Sequence, residues 1–218
     1  TSSNGCTASD DVQVTVNSLS SANAGPDQTI CQGQSATLTA NGGSSYIWNN
    51  GSAASSFVVV PFTTTTFTVT ISDLNGCTAS DDVTINVNSL PAANAGPDQT
   101  ICNGQTATLI AGGGANYLWS NGGTTNSINV SPASNATYTV TVTSGNGCTA
   151  SDNVIVVVNS LPLANAGIDQ TICFGQTATL TATGGATYQW NTGSSSSAIN
   201  VTPSVTTTYT VTVTSGNG

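Results

Sequence analysis

The stretch that decides the fold is GCTASDDVTINVNSLPAANAGPDQTICNGQ, residues 76–105, because near copies of it recur at 5–34 and 147–176. Each copy has a cysteine near both ends, an alternating apolar run after the first cysteine, and a joint rich in Pro, Ala and Asn. The copies recur with a period of 71. A fixed period of this size, with a whole set of strands in each period, indicates a tandem array of small domains.

Apolar and polar residues alternate throughout each period, which is typical of strands with one buried face. About seven short strands, separated by Gly, Pro and Asn turn signals, fall within residues 19–89, and no window has a helical period. This pattern is typical of a β-sandwich. We therefore predict an all-β chain, a tandem array of immunoglobulin-like β-sandwich repeats with the period of 71.

The period divides the chain into three repeats and one opening fragment. The repeats are 19–89, 90–160 and 161–218, and the last of these stops before its last strand. Residues 1–18 carry such a last strand without the rest of a unit, so they belong to a preceding unit or to a neighbouring chain. Either the array continues covalently, which we prefer, or residues 7–17 are donated as a strand to the third repeat of a neighbour. In both cases the expected partners are copies of the same unit, arranged head to tail.

The composition excludes several classes of function. The chain has no Lys, Arg, His, Glu or Met, and nine Asp give it a net charge of −9. Without cations to neutralise phosphates, it is not expected to bind nucleic acid or anionic lipid. No apolar run approaches the length of roughly 18 residues that a membrane-spanning helix needs, so membrane insertion is not expected.

Enzymatic activity is also not expected. Catalysis needs a nucleophile with a base, a metal, or a pair of carboxylates. His and Lys are absent, and the Asp residues recur with the fold, which favours a structural role for them. We predict no catalytic and no cofactor-binding residues.

Four motifs resemble a known group of proteins. They are AGPDQTIC at 24–31, YIW at 46–48, TTTYTVTV at 206–213 and NGCTASDNVIVVVN at 146–159. Together they resemble the immunoglobulin-like and PKD-like repeats of very large bacterial surface adhesins and filament proteins, which are exported by type IX-like secretion. The resemblance covers all three repeats and implies a secreted stalk or fibre at the cell surface. It carries over no binding residues.

Two further features are consistent with this resemblance. Trp48, Trp119 and Trp190 stand where such sandwiches bury a tryptophan on the third strand. Tyr138 and Tyr209 occupy the position of a tyrosine corner, in which the hydroxyl group bonds to the backbone. The first repeat has Phe67 at that position.

An even, regularly spaced set of cysteines in a secreted chain indicates disulfides. Zinc is not expected, since the chain has no CxxC pair and no His. A bond between Cys31 and Cys77 lies within one repeat, but in a sandwich these residues stand at opposite ends of a strand, roughly 25–30 Å apart. A disulfide needs Cα atoms within about 7 Å.

Cys31–Cys148, across the joint between two repeats, is therefore the preferred pair. By the same spacing, Cys102 and Cys173 bond to the next unit or chain, and Cys6 and Cys77 to the preceding one. The alternative, Cys31–Cys77 with Cys102–Cys148, stays open.

The carboxylates that follow the bend of the first strand and those that begin the last strand are expected to converge, because these strands lie side by side in a sandwich. Calcium is one possible role, with loop carbonyls completing the six or more oxygens that it needs. The other is turn chemistry, in which Asp accepts hydrogen bonds from backbone N–H groups. The candidates are Asp27, Asp81, Asp82, Asp98, Asp152 and Asp169.

The sequence thus predicts a non-enzymatic structural segment of an extracellular fibre or adhesin stalk, stiffened by disulfides. The alternative is an adhesive module whose loops bind a glycan or another protein. An adhesive module predicts one repeat with a distinct set of loops, whereas a spacer predicts loops that repeat, as they mostly do here.

Overall fold

The structure, a computed structural model, describes residues 4–18 and 21–216, which contain sixteen strands and no helix. It confirms the prediction of an all-β array. Its contacts divide the chain into two compact units, which do not follow the repeat boundaries. The first unit runs to residue 91 and includes residues 143–149; the second consists of 92–142 and the residues from 150 onward.

The first repeat has six strands, because each short alternating run is ended by a turn rich in Gly, Asn or Pro. They are β1 (Gln28–Cys31), β2 (Ala36–Thr39), β3 (Ser45–Trp48), β4 (Ser56–Val59), β5 (Thr65–Ser72) and β6 (Thr78–Asn88). One sheet has the order β1-β6-β5-β3 and the other pairs β2 with β4. The first strand runs parallel to the last, and the other pairs are antiparallel. This strand order defines an immunoglobulin-like sandwich.

The second repeat has the same arrangement, one period further along the chain. Its strands are β7 (Gln99–Cys102), β8 (Ala107–Ile110), β9 (Asn116–Trp119), β10 (Ser127–Val130), β11 (Ala136–Thr143) and β12 (Thr149–Asn159). The sheets have the orders β7-β12-β11-β9 and β10-β8.

The predicted first strand is divided between the two sheets. Asn23 forms an antiparallel bridge with Asn41, two residues after the end of β2, whereas β1 pairs with β6 in the other sheet. Gly25 lies between them with a φ of 84°, which a residue with a side chain rarely adopts, and Pro26 follows. The bend predicted at this dipeptide is therefore the point where the chain crosses between sheets.

Alternating side chains of the strands fill the space between the sheets. Leu38, Val69 and Ile85 in the first repeat are 0% exposed, as is Leu109 in the second. Facing apolar residues from both sheets form one continuous cluster in each repeat. Val83 on β6 is also fully buried, so the last strand supplies an essential part of the core.

The third repeat is less complete. Its strands are β13 (Ala178–Thr181), β14 (Thr187–Trp190), β15 (Ala198–Val201) and β16 (Val211–Thr214). They form two separate pairs, β13 with β15 and β14 with β16. Within residues 161–216 no strand takes the place of β6 or β12, and residues 168–176 form no strand either. Leu180 and Val211 are only partly buried, whereas the equivalent residues of the other repeats are fully buried.

The opening residues do not form the strand that their pattern predicts. Residues 6–18 have no regular structure, and Val12, Val14 and Val16 are 89%, 80% and 87% exposed. A lone strand has no partner for its backbone and no apolar face to cover, so it gains nothing by becoming ordered. Its assignment to a unit outside this chain stays a prediction.

Gly113 is a position where the fold requires glycine, and this can be tested. Its φ is 99°, and an added Cβ would overlap the backbone carbonyl oxygen of Ala92. We expect Gly113→Ala to lower the free energy of unfolding of the second repeat by at least about 3 kcal/mol, since strain and overlap add. Gly122 is a matched control, because its φ is 87° but nothing lies within 4 Å of the added atom.

The control variant Gly122→Ala should cost only about 1–2 kcal/mol, from backbone strain alone. Urea unfolding of the two variants measures the difference. Equal losses would show that the close approach of Gly113 to Ala92 does not exist.

Candidate functional site

A disulfide joins Cys31, the last residue of β1, to Cys148, the residue before β12. The two Cα atoms are 5.6 Å apart, and the bond closes a sequence separation of 117 residues. Both cysteines belong to the first unit, which includes the loop at 143–149. The structure thus brings together the pair that the sequence analysis preferred.

The alternative pairs, Cys31–Cys77 and Cys102–Cys148, do not form, since each would need a cysteine that is already bonded. The physical reason lies in the register of β1 and β6. Cys31 is the partner of Asn88 at the far end of β6, whereas Cys77 precedes the first residue of that 11-residue strand. At ~3.3 Å per residue, the strand separates the two cysteines by about 35 Å.

The surroundings of the disulfide hold it in place. Gln34 accepts a hydrogen bond from the N–H of Cys31 through Oε1 (3.0 Å) and returns one from its own N–H to the Cys31 carbonyl (2.9 Å). Asn146, in the loop at 143–149, donates from Nδ2 to Oδ1 of Asn88 (3.4 Å). Cys148 itself is 1% exposed. The bond is therefore part of a packed contact within the first unit.

The disulfides predicted for the other four cysteines, to preceding and following units, stay predictions. Cys77 and Cys173 carry free thiols, the first partly buried and the second exposed. Cys6 is exposed and Cys102 is partly buried.

Four of the six candidate Asp residues form hydrogen bonds that join the first and last strands of a repeat. Asp81 accepts a hydrogen bond from the N–H of Ala24 (2.8 Å), and Asp27 accepts one from the N–H of Thr84 (2.8 Å). In the second repeat Asp152 accepts from Ala95 and Asp98 accepts from Ile155, again at 2.8 Å. Each of these carboxylates thus accepts a hydrogen bond from a backbone N–H group 57 residues away, so the bonds join two strands and do not form turns.

The other two candidates, Asp82 and Asp169, are exposed. Among the described residues, no three His, Cys, Asp or Glu side chains are grouped in a way that could hold a metal ion. In the same part of the chain, no helix is long and apolar enough to cross a membrane.

The hydrogen bond from the Ala95 N–H to Asp152 predicts that the free energy of unfolding depends on pH. The pKa of the Asp152 carboxyl lies below its ordinary value, first because the Ala95 N–H bonds to it and second because the Asn153 N–H does. A pKa that folding lowers means that the charged form stabilises the folded state above the unfolded pKa of about 3.9. This stabilisation is lost as the pH falls through the lower folded pKa.

We therefore expect Asp152→Asn, which keeps an acceptor oxygen but removes the charge, to destabilise the chain near neutral pH and to have little effect at about pH 2. Urea unfolding at both pH values measures this. Asp82→Asn is the control, since Asp82 is exposed on the last strand of the first repeat. A destabilisation by Asp152→Asn that is the same at both pH values would contradict the role of the charge.

The three tryptophans are buried as predicted, at 1–2% exposure. Each donates from Nε1 to a backbone carbonyl six residues later, Trp48 to Ala54 at 3.1 Å and Trp119 to Thr125 at 3.0 Å. The tyrosine-corner prediction is wrong, because the hydroxyls of Tyr138 and Tyr209 have no hydrogen bond within the described residues. Other tyrosines make a bond of this type instead, among them Tyr46, which donates to the carbonyl of Gly43 (2.9 Å).

The third repeat has an open groove of about 570 Å³. One wall is formed by residues 166–174 and the other by residues 203–209. Leu180, Trp190 and Val201 also line it.

Comparisons with known proteins give only remote matches. No protein-family model matches the sequence, and no curated protein matches it significantly. Similar solved structures include the N-terminal eight Ig domains of Down syndrome cell adhesion molecule, with 16% identity over 79% of this chain and 34% of that chain, at a TM-score of 0.38. This chain therefore spans about a third of that segment.

Two other similar structures are a three-domain segment of titin and immunoglobulin domains 1–4 of Sidekick-1. The titin segment has 12% identity over 79% of both chains and a TM-score of 0.39. Sidekick-1 has 15% identity over 78% of this chain and 62% of that chain, with a TM-score of 0.31. The immunoglobulin-like assignment rests on the strand order of the first two repeats, not on these matches.

Proposed function

We propose that this chain is a structural segment of an extracellular bacterial fibre or adhesin stalk, exported to the cell surface by a type IX-like route. The observation that carries the proposal is the disulfide between Cys31 and Cys148, which joins cysteines from successive sequence repeats. The bond shortens the covalent path along the chain, which is useful when the chain transmits force.

The mechanical consequence follows from the length of the bridged segment. When the chain is pulled from its two ends, tension passes from Cys31 directly to Cys148 and bypasses residues 32–147. The bridged segment contains all of the second repeat except its last strand. On loop entropy alone, a bond that closes 117 residues stabilises the folded state by about 4–5 kcal/mol.

The surface supports an extracellular role. Hydroxyl groups pair across neighbouring strands, as in Thr66 with Thr84 (3.0 Å), Thr70 with Ser80 (3.0 Å) and Thr141 with Ser151 (3.1 Å). Such pairs cover the sheets with polar groups that carry no charge. Since the chain has no Lys or Arg, proteases of trypsin type have no cleavage site in it.

Electron microscopy of the producing cells tests the proposal. Gold-labelled antibodies raised against this chain should decorate continuous fibres on the cell surface, with a regular axial spacing. Label confined to the cell interior would contradict the proposal. Specific binding of an isolated repeat on a glycan array would also contradict it, because it would favour the adhesive module instead.

A further inference from the structure

We propose that β4 (Ser56–Val59) is a pairing edge, at which the first repeats of two copies of this chain associate side by side as antiparallel strands. This contact goes beyond the proposed function and is independent of it, since it concerns the side of one repeat and not the disulfide. It assigns a partner to a surface on which the first repeat differs from the other two.

The strand β4 has one open side, because β2 is its only neighbour within the described residues. The N–H of Ala40 donates to the carbonyl of Ser55 (2.8 Å). Hydrogen-bonded pairs alternate along an antiparallel ladder, so Phe57 also directs its N–H and C=O groups to β2. Ser56 and Val58 direct theirs to the open side. A sheet edge of this kind is a template for pairing with another extended strand.

The open edge is apolar in the first repeat alone. Val58 and Val60 are 62% and 50% exposed, and Phe62, which follows Pro61, is 70% exposed. The residues at the positions of these three apolar side chains are Asn129, Ser131 and Ala133 in the second repeat and Asn200, Thr202 and Ser204 in the third. The first repeat is therefore the one whose edge favours association.

In the other two repeats, the asparagine at the position of Val58 is held within its own sheet. Thr108 donates from Oγ1 to Oδ1 of Asn129 (2.8 Å), and Thr179 donates to Oδ1 of Asn200 (2.8 Å). These bonds keep a polar group on the outer face beside the edge. In the first repeat the same place is occupied by a valine side chain, which makes no hydrogen bond.

The inward side of β4 is also incompletely covered. Val59 is only partly buried, whereas Val130 and Val201 at the same position are 7% and 9% exposed. A sheet of two strands is marginally stable, and three or more strands with an apolar face are more stable. Pairing two copies at β4 produces a four-stranded sheet of order β2-β4-β4-β2 from two two-stranded sheets.

A second copy is the partner that the charges favour. The nine Asp residues are the only charged side chains, so two copies repel each other wherever their carboxylates approach. Residues 28–72, which include β4, have no charged side chain, so this repulsion is weakest at the edge. An uncharged apolar edge gives a charged peptide no partner for its charges, whereas an identical edge matches it.

Antiparallel pairing about a two-fold axis uses the same patch on both copies. With the axis at Val58, its N–H donates to the carbonyl of Val58 of the second copy, and Ser56 pairs with Val60 of the second copy. The outward side chains of Val58 and Val60 then form one apolar strip across both strands, and such cross-strand contacts stabilise a sheet.

Amide hydrogen exchange, measured by NMR over a range of chain concentrations, tests the pairing. We expect the N–H groups of Ser56 and Val58 to exchange more slowly as the concentration rises, because they acquire carbonyl partners in the dimer. Asn129, at the equivalent edge of the second repeat, is the control and should not change. Because the paired edges are short, we expect a dissociation constant between about 1 μM and 1 mM.

A charge placed at the axis is the second test. Val58→Asp sets two carboxylates opposite each other and should weaken dimerisation by at least about tenfold in sedimentation equilibrium. The monomer keeps its fold, because this side chain is 62% exposed. Ile47→Asp is the matched control. It adds the same charge at a residue that is 58% exposed on β3, at the edge of the other sheet, and should leave dimerisation nearly unchanged.

The converse variant gives the second repeat the same edge. Asn129→Val together with Ser131→Val replaces two polar side chains by the residues that the first repeat has at these positions. We expect species larger than a dimer, with masses that are multiples of 21.6 kDa, since each chain then has two pairing edges.

A chain that is monomeric at every concentration up to about 1 mM would overturn the pairing. So would a dimer with unchanged exchange at Ser56 and Val58, equal effects of Val58→Asp and Ile47→Asp, or a double variant that associates no further than the parent chain. Each of these results leaves the proposed function intact, because that proposal rests on the disulfide between Cys31 and Cys148.

Discussion

Leu109→Ala is expected to lower the free energy of unfolding of the second repeat by about 3–5 kcal/mol. Leu109 on β8 is 0% exposed and belongs to the same core cluster as Trp119 and Val140. The substitution removes buried methyl groups and leaves a cavity between two sheets that are held apart by their other side chains. Both effects add, which places the loss at the upper end of the range for such substitutions.

Two matched variants serve as controls for this prediction. Ile110→Ala, at the next position on the same strand, removes an aliphatic side chain that is 60% exposed, so a loss within about 1 kcal/mol is expected. Leu180→Ala, at the equivalent position of the third repeat, should cost less than Leu109→Ala because Leu180 is only partly buried.

Hydrogen exchange with peptic digestion measures these effects repeat by repeat, since opening free energies are local. Loss of protection after Leu109→Ala should be confined to peptides of the second repeat. Equal losses for Leu109→Ala and Ile110→Ala would show that β8 does not face the core as described.

Removing the disulfide should have the other large effect. Replacing Cys31 and Cys148 together by serine frees a segment of 117 residues, which costs about 4–5 kcal/mol if the bond acts through the entropy of the unfolded chain. The midpoint of thermal unfolding should fall accordingly. Cys173→Ser is the control, because that thiol is free and exposed, and it should leave the midpoint unchanged.

Reduction of the unmodified chain should reproduce the effect of the double substitution. After reduction, the double variant and the parent chain should melt at similar temperatures. If reduction lowers the midpoint of the double variant as much as that of the parent, the stabilising disulfide is not the one between Cys31 and Cys148.

The fold could be predicted because its determinants are local and repeated. Alternation assigns Val83 and Ile85 to the core, and the structure buries both completely. The division of the first strand between two sheets was not predictable from alternation, since it depends on Asn23 finding Asn41 in the second sheet. About seven strands were expected in each repeat, whereas the structure has six in each of the first two repeats and four in the third.

The site could be predicted only in part. The candidate carboxylates do lie where the first and last strands meet, but their partners are backbone N–H groups such as that of Ala24, 57 residues away from Asp81. Every residue except proline has a backbone N–H group, so the sequence does not show which of these groups bonds to a carboxylate. Spacing alone therefore cannot distinguish a hydrogen bond between two strands from a calcium site. Similarly, a tyrosine hydroxyl finds its partner through loop geometry, which explains why Tyr46 and not Tyr138 bonds to the backbone.

The cysteines show how topology adds to spacing. All six recur at the same period, so Cys77 and Cys148 are equally acceptable partners of Cys31 by sequence alone. The choice between them follows from the length of the strand that separates Cys31 from Cys77, and this argument requires the sandwich to be recognised first.

The central claim is that the disulfide links cysteines of successive repeats, so that tension bypasses the residues between Cys31 and Cys148. Stretching single molecules from their two ends tests this claim. The oxidised chain should extend less than the reduced chain by about 400 Å, the length of 117 extended residues. Equal extensions, or a shortening in steps of about 150 Å as bonds Cys31–Cys77 and Cys102–Cys148 would give, would contradict it.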